Sequence, residues 1–137
     1  MSDKAVFIDS NIWLYALIES DDPRHKMAKE KIRQAGSLVV SSQVISEVCV
    51  NMLKKAEQDE AFIRALVSSF YANYRVVSLD ENVFLKASDL RNRYSLSYWD
   101  SMIVAAALEA SCSVLYSEDM QSGLLVDQSL RIINPLS

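Results

Sequence analysis

Apolar residues fall in short unbroken blocks, separated by longer stretches where they recur every third or fourth position. Residues 5–8, 38–40, 75–79, 113–116 and 131–133 are blocks of strand length rich in valine, isoleucine and leucine. The intervening stretches read as helices. Residues 10–18 carry Ile12, Trp13, Leu14, Leu17 and Ile18, and Asp21-Asp22-Pro23 opens a charged helix that runs to about Gln34 and is closed by Gly36. Ser41-Ser42 opens a helix to about Lys55, with Val44, Val48 and Met52 on one stripe. Asp59 starts another, in which Phe62, Ile63, Leu66, Val67, Phe70 and Tyr71 return at helical spacing, and Asp80 caps one that reaches about Arg93. Residues 97–110 are apolar nearly all round, which predicts a central buried helix. Short strands alternating with helices require right-handed crossovers and a mostly parallel sheet. The expected fold is therefore α/β, a three-layer α/β/α sandwich around four to five strands.

Length and composition bound this picture. A chain of 137 residues, half of them hydrophobic, makes one domain spanning residues 1–137. Two glycines and two prolines leave little material for long loops. The longest apolar runs, such as residues 102–108, are too short to cross a bilayer, so no membrane partner is expected. Met1-Ser2-Asp3-Lys4 leads directly into the first strand, unlike a secretory signal. Cys49 and Cys112 sit in apolar stretches as free thiols would, which fits a cytoplasmic, reducing compartment.

Four acids stand where strands hand over to helices or loops. They are Asp9 after the first strand, Glu47 shortly after the second, Asp100 at the start of the apolar helix, and Asp119 just past the fourth strand. Open α/β sheets bind ligands outside the carboxyl ends of their strands. Each acid also has a plain structural reading. Asp9 suits a helix N-cap, Ser97-Tyr98-Trp99-Asp100 fits a capping box, and Asp119 lies in a polar turn beside its rival Glu118. Glu47 is harder to place, because it borders the stripe of Val44 and Val48 next to Asn51.

Gathered together, these carboxylates demand a cation: two of them ~4 Å apart repel by roughly 4 kcal/mol at an effective dielectric of about 20. Oxygen-only donors suit Mg²⁺ or Mn²⁺, and the single histidine and two distant cysteines offer no zinc pattern. Metal-assisted phosphodiester hydrolysis is the natural reaction class. Gly36 and Gly123 cannot build a phosphate-binding loop, His25 follows no nucleophile elbow, and Asn11 stands where an aspartyl-phosphate phosphatase carries a second aspartate. The net charge of −4 argues against nonspecific coating of nucleic acid but is compatible with acids devoted to metal. Basic residues cluster at Arg24–Arg33, at Lys54 and Lys55, and at Arg91 and Arg93; the last two pairs are candidate RNA contacts, and each cluster reads equally as a solvated helix face.

Phe7-Ile8-Asp9-Ser10-Asn11-Ile12, Ile45-Ser46-Glu47, the segment from Tyr98-Trp99-Asp100 to Ala107, and Leu115-Tyr116-Ser117-Glu118-Asp119-Met120-Gln121-Ser122-Gly123 resemble the PIN domain. Within it they are most similar to the single-domain VapC-type toxins of toxin–antitoxin pairs. The resemblance covers essentially the whole chain. It implies a Mg²⁺- or Mn²⁺-dependent endoribonuclease in which Asp9 and Asp100 are the principal metal ligands. Glu47 and Asp119 would complete the site, with Asn11 and Ser117 as supporting polar residues. It further implies an RNA substrate, a homodimer, and a cognate antitoxin lying in a groove with the helix after Asp59 as a wall. The competing expectations are a housekeeping PIN-like RNA-processing nuclease and a non-catalytic PIN-like binding module.

Overall fold

A computed structural model describes residues 4–137; Met1, Ser2 and Asp3, the start of the segment expected to lead into the first strand, lie outside the described residues. In chain order the elements are β1 (Ala5–Ile8), α1 (Ser10–Leu17), α2 (Pro23–Gln34), β2 (Ser37–Ser41), α3 (Ser42–Lys54), α4 (Glu60–Asn73), β3 (Arg75–Val77), α5 (Glu81–Arg93), α6 (Tyr98–Glu109), β4 (Val114–Tyr116), β5 (Leu125–Val126) and β6 (Leu130–Ile133). The helices start where capping side chains allow. Asp22, Ser41, Asp59, Asp80 and Ser97 each accept a backbone N–H from the first turn that follows, satisfying donors a helix leaves unpaired.

The sheet order is β3-β2-β1-β4-β6-β5, with every pairing parallel except β5 against β6. Phe7 sits opposite Val39 on one side and Leu115 on the other, so β1 and β4 form the centre. Phe7, Ile8, Val40, Leu115 and Ile132 are fully buried, as expected of strands covered on both faces. The chain steps outward from β1 through β2 to β3, then returns past both to β4. With right-handed crossovers, this reversal puts α1 to α4 on one face and α5 and α6 on the other. It also makes the gap between β1 and β4 the topological switch point, where α/β sheets open a crevice.

The layered, mostly parallel α/β architecture agrees with the sequence pattern; among the described residues the sheet has six strands where four or five were expected. The added strand, β5, spans only two residues and pairs antiparallel with β6 across a turn with Asp127 and Gln128 at φ 51° and 57°. Both central residues adopt the left-handed region, the signature of a tight hairpin turn, yet neither is glycine. Asp127 is held there by Lys86 at 2.6 Å and Arg93 at 2.7 Å, both from α5. Those ion pairs hold its carboxyl well down, at about 2.

Replacing Leu115 by alanine, at the centre of the sheet and beside the crevice, should cost about 2–5 kcal/mol. Urea unfolding should show a lower midpoint with an unchanged slope.

Candidate active site

Asp9 follows β1 and caps α1. Its Oδ1 accepts the Ser10 N–H at 2.7 Å, and its Oδ2 accepts the Ser117 hydroxyl at 2.9 Å. Ser117 follows β4 and is itself fully buried, so the switch point brings two strand ends into direct contact. Asp9 is only 8% exposed. Burial pushes its carboxyl up to about 6, against the two hydrogen bonds that lower it, and the charges of Glu47 and Asp100 add to the rise.

Three further acids reach the same place from three other elements. Asp9, Glu47, Asp100 and Asp119 all line one cleft of about 290 Å³, together with Asn11, Gln43 and Trp99. Glu47 projects from α3 one turn beyond Gln43, whose Nε2 donates to it at 3.3 Å. Asp100 lies in the first turn of α6, its N–H bonded to the Ser97 hydroxyl at 3.1 Å. Its carboxyl is raised by burial and by the charge of Asp119. Asp119, on the loop after β4, accepts a hydrogen bond from the Asn11 side-chain amide.

Thus Asp9 does cap a helix, and Ser97 does form the forward half of a capping box, but both acids of those motifs also face the cleft. Glu118 and Asp119 are drawn to different places by their partners. Glu118 accepts from the Tyr15 hydroxyl at 2.9 Å and pairs with Arg24 at 3.0 Å, while Asp119 alone lines the cleft. Of the supporting residues, Asn11 and Ser117 bind Asp119 and Asp9 respectively. The basic candidates are scattered. Lys54 and Lys55 are exposed at the end of α3, and Arg91 donates to the Ser101 hydroxyl at 2.7 Å. Arg93 is paired with Asp89 and Asp127, although it lines a second cleft of about 330 Å³ that shares Asp100 and Asp119.

Five lining residues, Ser10, Gln43, Asn51, Trp99 and Ile103, were not singled out from the sequence as part of a site. Gln43 bridges Glu47 and the Trp99 carbonyl, the latter at 3.4 Å, and Trp99 forms part of the rim. Gln43 lies one helical turn before Glu47 and Trp99 directly precedes Asp100, so proximity to the acids was the available signal. A larger cavity, about 1040 Å³ along α2, is lined by residues of both charges such as Glu19 and Lys26 and by none of the four acids.

The donor set fits a hard divalent cation: carboxylates and side-chain amides, with no basic side chain in the lining. Among the described residues, no three acidic, histidine or cysteine side chains are drawn together into a ready-made cage.

Residues 6–121 match the sequence profile of the PIN domain. No curated protein matches the sequence significantly. Among solved structures, a toxin–antitoxin complex from Klebsiella pneumoniae superposes with a TM-score of 0.72 at 18% identity, covering 95% of this chain and 97% of that one. FitAcB from Neisseria gonorrhoeae gives 0.71 at 14% identity, with 95% and 97% covered. VapC20 of Mycobacterium tuberculosis, a sarcin–ricin-loop-cleaving toxin, gives 0.69 at 18% identity, with 83% and 89% covered. At such identities the likeness is one of fold.

The buried carboxyl makes a prediction with a definite sign. Its folded value of about 6 lies above the ordinary 3.8, so between those pH values the folded protein holds a proton the unfolded chain has lost. Stability of the metal-free protein should therefore fall as pH rises from about 4 to 6, by on the order of 3 kcal/mol from Asp9. Asp9→Asn, which keeps an oxygen for the Ser10 N–H, should lack that decline. Urea unfolding in EDTA across this range measures both.

Proposed function

The chain belongs to the PIN domain family, and on that footing we propose that it is a Mg²⁺- or Mn²⁺-dependent endoribonuclease, the toxin of a toxin–antitoxin pair. The observation that carries this reading is the convergence of four carboxylates, from four separate elements, on one cleft with no basic side chain in its lining. Asp9 and Asp100 would be the principal ligands of the cation, with Glu47 and Asp119 completing the site directly or through water. A cation held there supplies an activated water and a counter-charge for phosphate oxygens.

The chain's own residues supply the positioning. Ser10 and Ser117 fix both oxygens of Asp9, so its carboxylate cannot turn away from the cleft. Gln43 steadies Glu47, and Asn11 steadies Asp119. These neutral donors orient the acids without spending their charge, which leaves the full negative potential for a cation and its waters. Glu47 and Asp119 would orient the attacking water.

A purely structural role for the acids accounts for less. Asp9 caps α1, but Glu47 lies within α3 and Asp119 in a loop, and neither caps a helix. The toxin reading over a housekeeping nuclease rests on shape. The Klebsiella structure is a toxin–antitoxin complex, and it matches this chain along nearly its full length. An antitoxin and a second copy of the chain are therefore the proposed partners. The α4 wall expected for an antitoxin groove buries Ile63 and Phe70 but leaves Tyr71 exposed. Among the described residues no helix is long and apolar enough to cross a membrane. Free Cys49 and Cys112 suit a reducing cytoplasm.

Purified protein should cut a total transfer RNA pool into discrete fragments in Mg²⁺ or Mn²⁺ and not in EDTA. Asp100→Asn should lose at least ~100-fold in rate while remaining folded, more than loss of an outer positioning group costs. Cleavage that survives EDTA or Asp100→Asn would refute the metal-nuclease reading.

The two basic pairs should separate. Changing Lys54 and Lys55 to glutamate should raise KM several-fold and flatten its salt dependence, with kcat little changed. Arg93→Glu should instead lower the melting temperature, because it places a third acid against Asp89 and Asp127. Kinetics at two salt concentrations and a thermal melt check the pair.

A further inference from the structure

Resting on the nuclease reading above, we infer that Tyr98 and Trp99 form a stacking ledge that receives an unpaired base of the RNA beside the phosphate to be cut. The remainder of α6 is a core helix, with Ser101 to Ala107 buried without a break. Ahead of that run the first turn projects, and there Tyr98 is 45% and Trp99 59% exposed. The chain's other tryptophan shows what a structural one looks like: Trp13 is 5% exposed, with its ring edge-on to Phe70 at 5.1 Å. Folding gains little from a tryptophan left largely in water, so the position of Trp99 calls for a different account.

The ledge is braced while its surface stays open. The two rings meet edge to face, 5.1 Å between centroids at 82°. The Arg91 guanidinium lies 4.7 Å from the centre of the Tyr98 ring and is anchored by the Ser101 hydroxyl. Gln43 donates to the Trp99 carbonyl from the far side of the cleft. A rigid aromatic surface loses little conformational entropy when a flat ligand settles on it.

Continuity with the acids selects the occupant. Trp99 lines the same cleft as Asp9, Glu47, Asp100 and Asp119, and adjoins Asp100 in sequence. A nucleotide whose phosphate sits at the acids would carry its base within reach of this rim. Every base has a π-face for an aromatic ring, but only an unpaired base can offer it. Arg91 beside Tyr98 adds a positive charge at an edge where an RNA backbone would leave the anionic cleft. The rival occupant is a second copy of this chain, for which the same exposed rings would serve as contacts.

The test uses an RNA hairpin cut within its loop, made also with an abasic nucleotide flanking the cut site. Trp99→Ala should lower kcat/KM on the intact hairpin about 10-fold, chiefly through KM, whereas Trp99→Phe should stay within ~3-fold of wild type. The abasic hairpin should cost the wild type a similar factor and cost Trp99→Ala nothing further, as two changes that break one contact must. Trp99→Leu, which keeps bulk without a π-face, should resemble alanine and covers the case that the alanine variant folds poorly.

A second readout is independent of cleavage. In Asp100→Asn protein with Mg²⁺, a short unpaired RNA should quench tryptophan fluorescence, and its abasic counterpart should not. Quenching without any cleavage by the wild type would uphold the ledge and sink the nuclease reading. Asp100-dependent cleavage that Trp99→Ala leaves unchanged, or an abasic penalty equal in both proteins, would overturn the ledge. So would loss of activity that tracks dissociation of a dimer on gel filtration, which would assign the rings to contact between copies.

Discussion

Asp9 gives up nearly all contact with water and receives in return two hydrogen bonds from neutral donors, the Ser10 N–H and the Ser117 hydroxyl. Neutral donors orient a carboxylate; they do not cancel its charge. Two more acids, Glu47 and Asp100, stand close enough to push its carboxyl further up. A fold that holds an acid in this condition is under a standing electrostatic load, relieved either by a proton or by a cation. The arrangement of the surrounding residues makes sense as the means of keeping that load in place.

Topology explains why the load falls where it does. Strands β1 and β4 are neighbours whose following segments part in opposite directions, so the space past their carboxyl ends is empty of main chain. Asp9 and Ser117 are the residues immediately beyond those ends and bond across the gap. Helix α6 leads directly into β4, and α3 leads directly out of β2. The first turn of α6 therefore returns to this same edge and brings Asp100, while α3 starts there and carries Glu47 one turn further in. Glu47 and Asp100 are set by elements whose own packing is apolar: Val44, Val48 and Met52 for α3, and Met102 to Ala107 for α6. The core thus sets the elements, and the contacts of Ser10, Ser117, Gln43 and Asn11 then orient the carboxylates of Asp9, Glu47 and Asp119.

That division governs what could be read from the sequence. Positions at the ends of apolar blocks are fixed by local pattern, so Asp9, Glu47, Asp100 and Asp119 were all legible, as was the layered sheet. The short strand β5 was not, because two residues give no periodicity, and its turn uses Asp127 and Gln128 where a glycine would have announced it. Only tertiary partners separate Glu118 from Asp119. Arg24 and Tyr15, about a hundred positions away, claim the first and leave the second to the cleft. Trp99 was hidden for the opposite reason. In a helix apolar nearly all round, one more apolar residue reads as core, and only the end of the layer it covers reveals that it projects.

Charge pairing across the rest of the surface bears on how an acidic protein could hold RNA at all. The ion pairs of Arg24, Arg33, Lys86 and Arg93 go to Asp22, Glu118, Glu30, Asp89 and Asp127, all of them outside the four-acid cleft. These cations are spent on fastening α2, α5 and the loops after β4 and β5, and exposed pairs of this kind add only modestly to stability. The consequence is that no cation is spent in the cleft: among the described residues these ion pairs reach five carboxylates outside it and none of its four. With a net charge of −4, long-range attraction for a polyanion is weak, so a phosphate approaching this surface meets repulsion until a cation occupies the cleft. Under the proposed function, binding of metal and of substrate would then be linked, since each would supply what the other lacks. A neutral contact such as base stacking, which is indifferent to net charge, gains relative weight in such a protein.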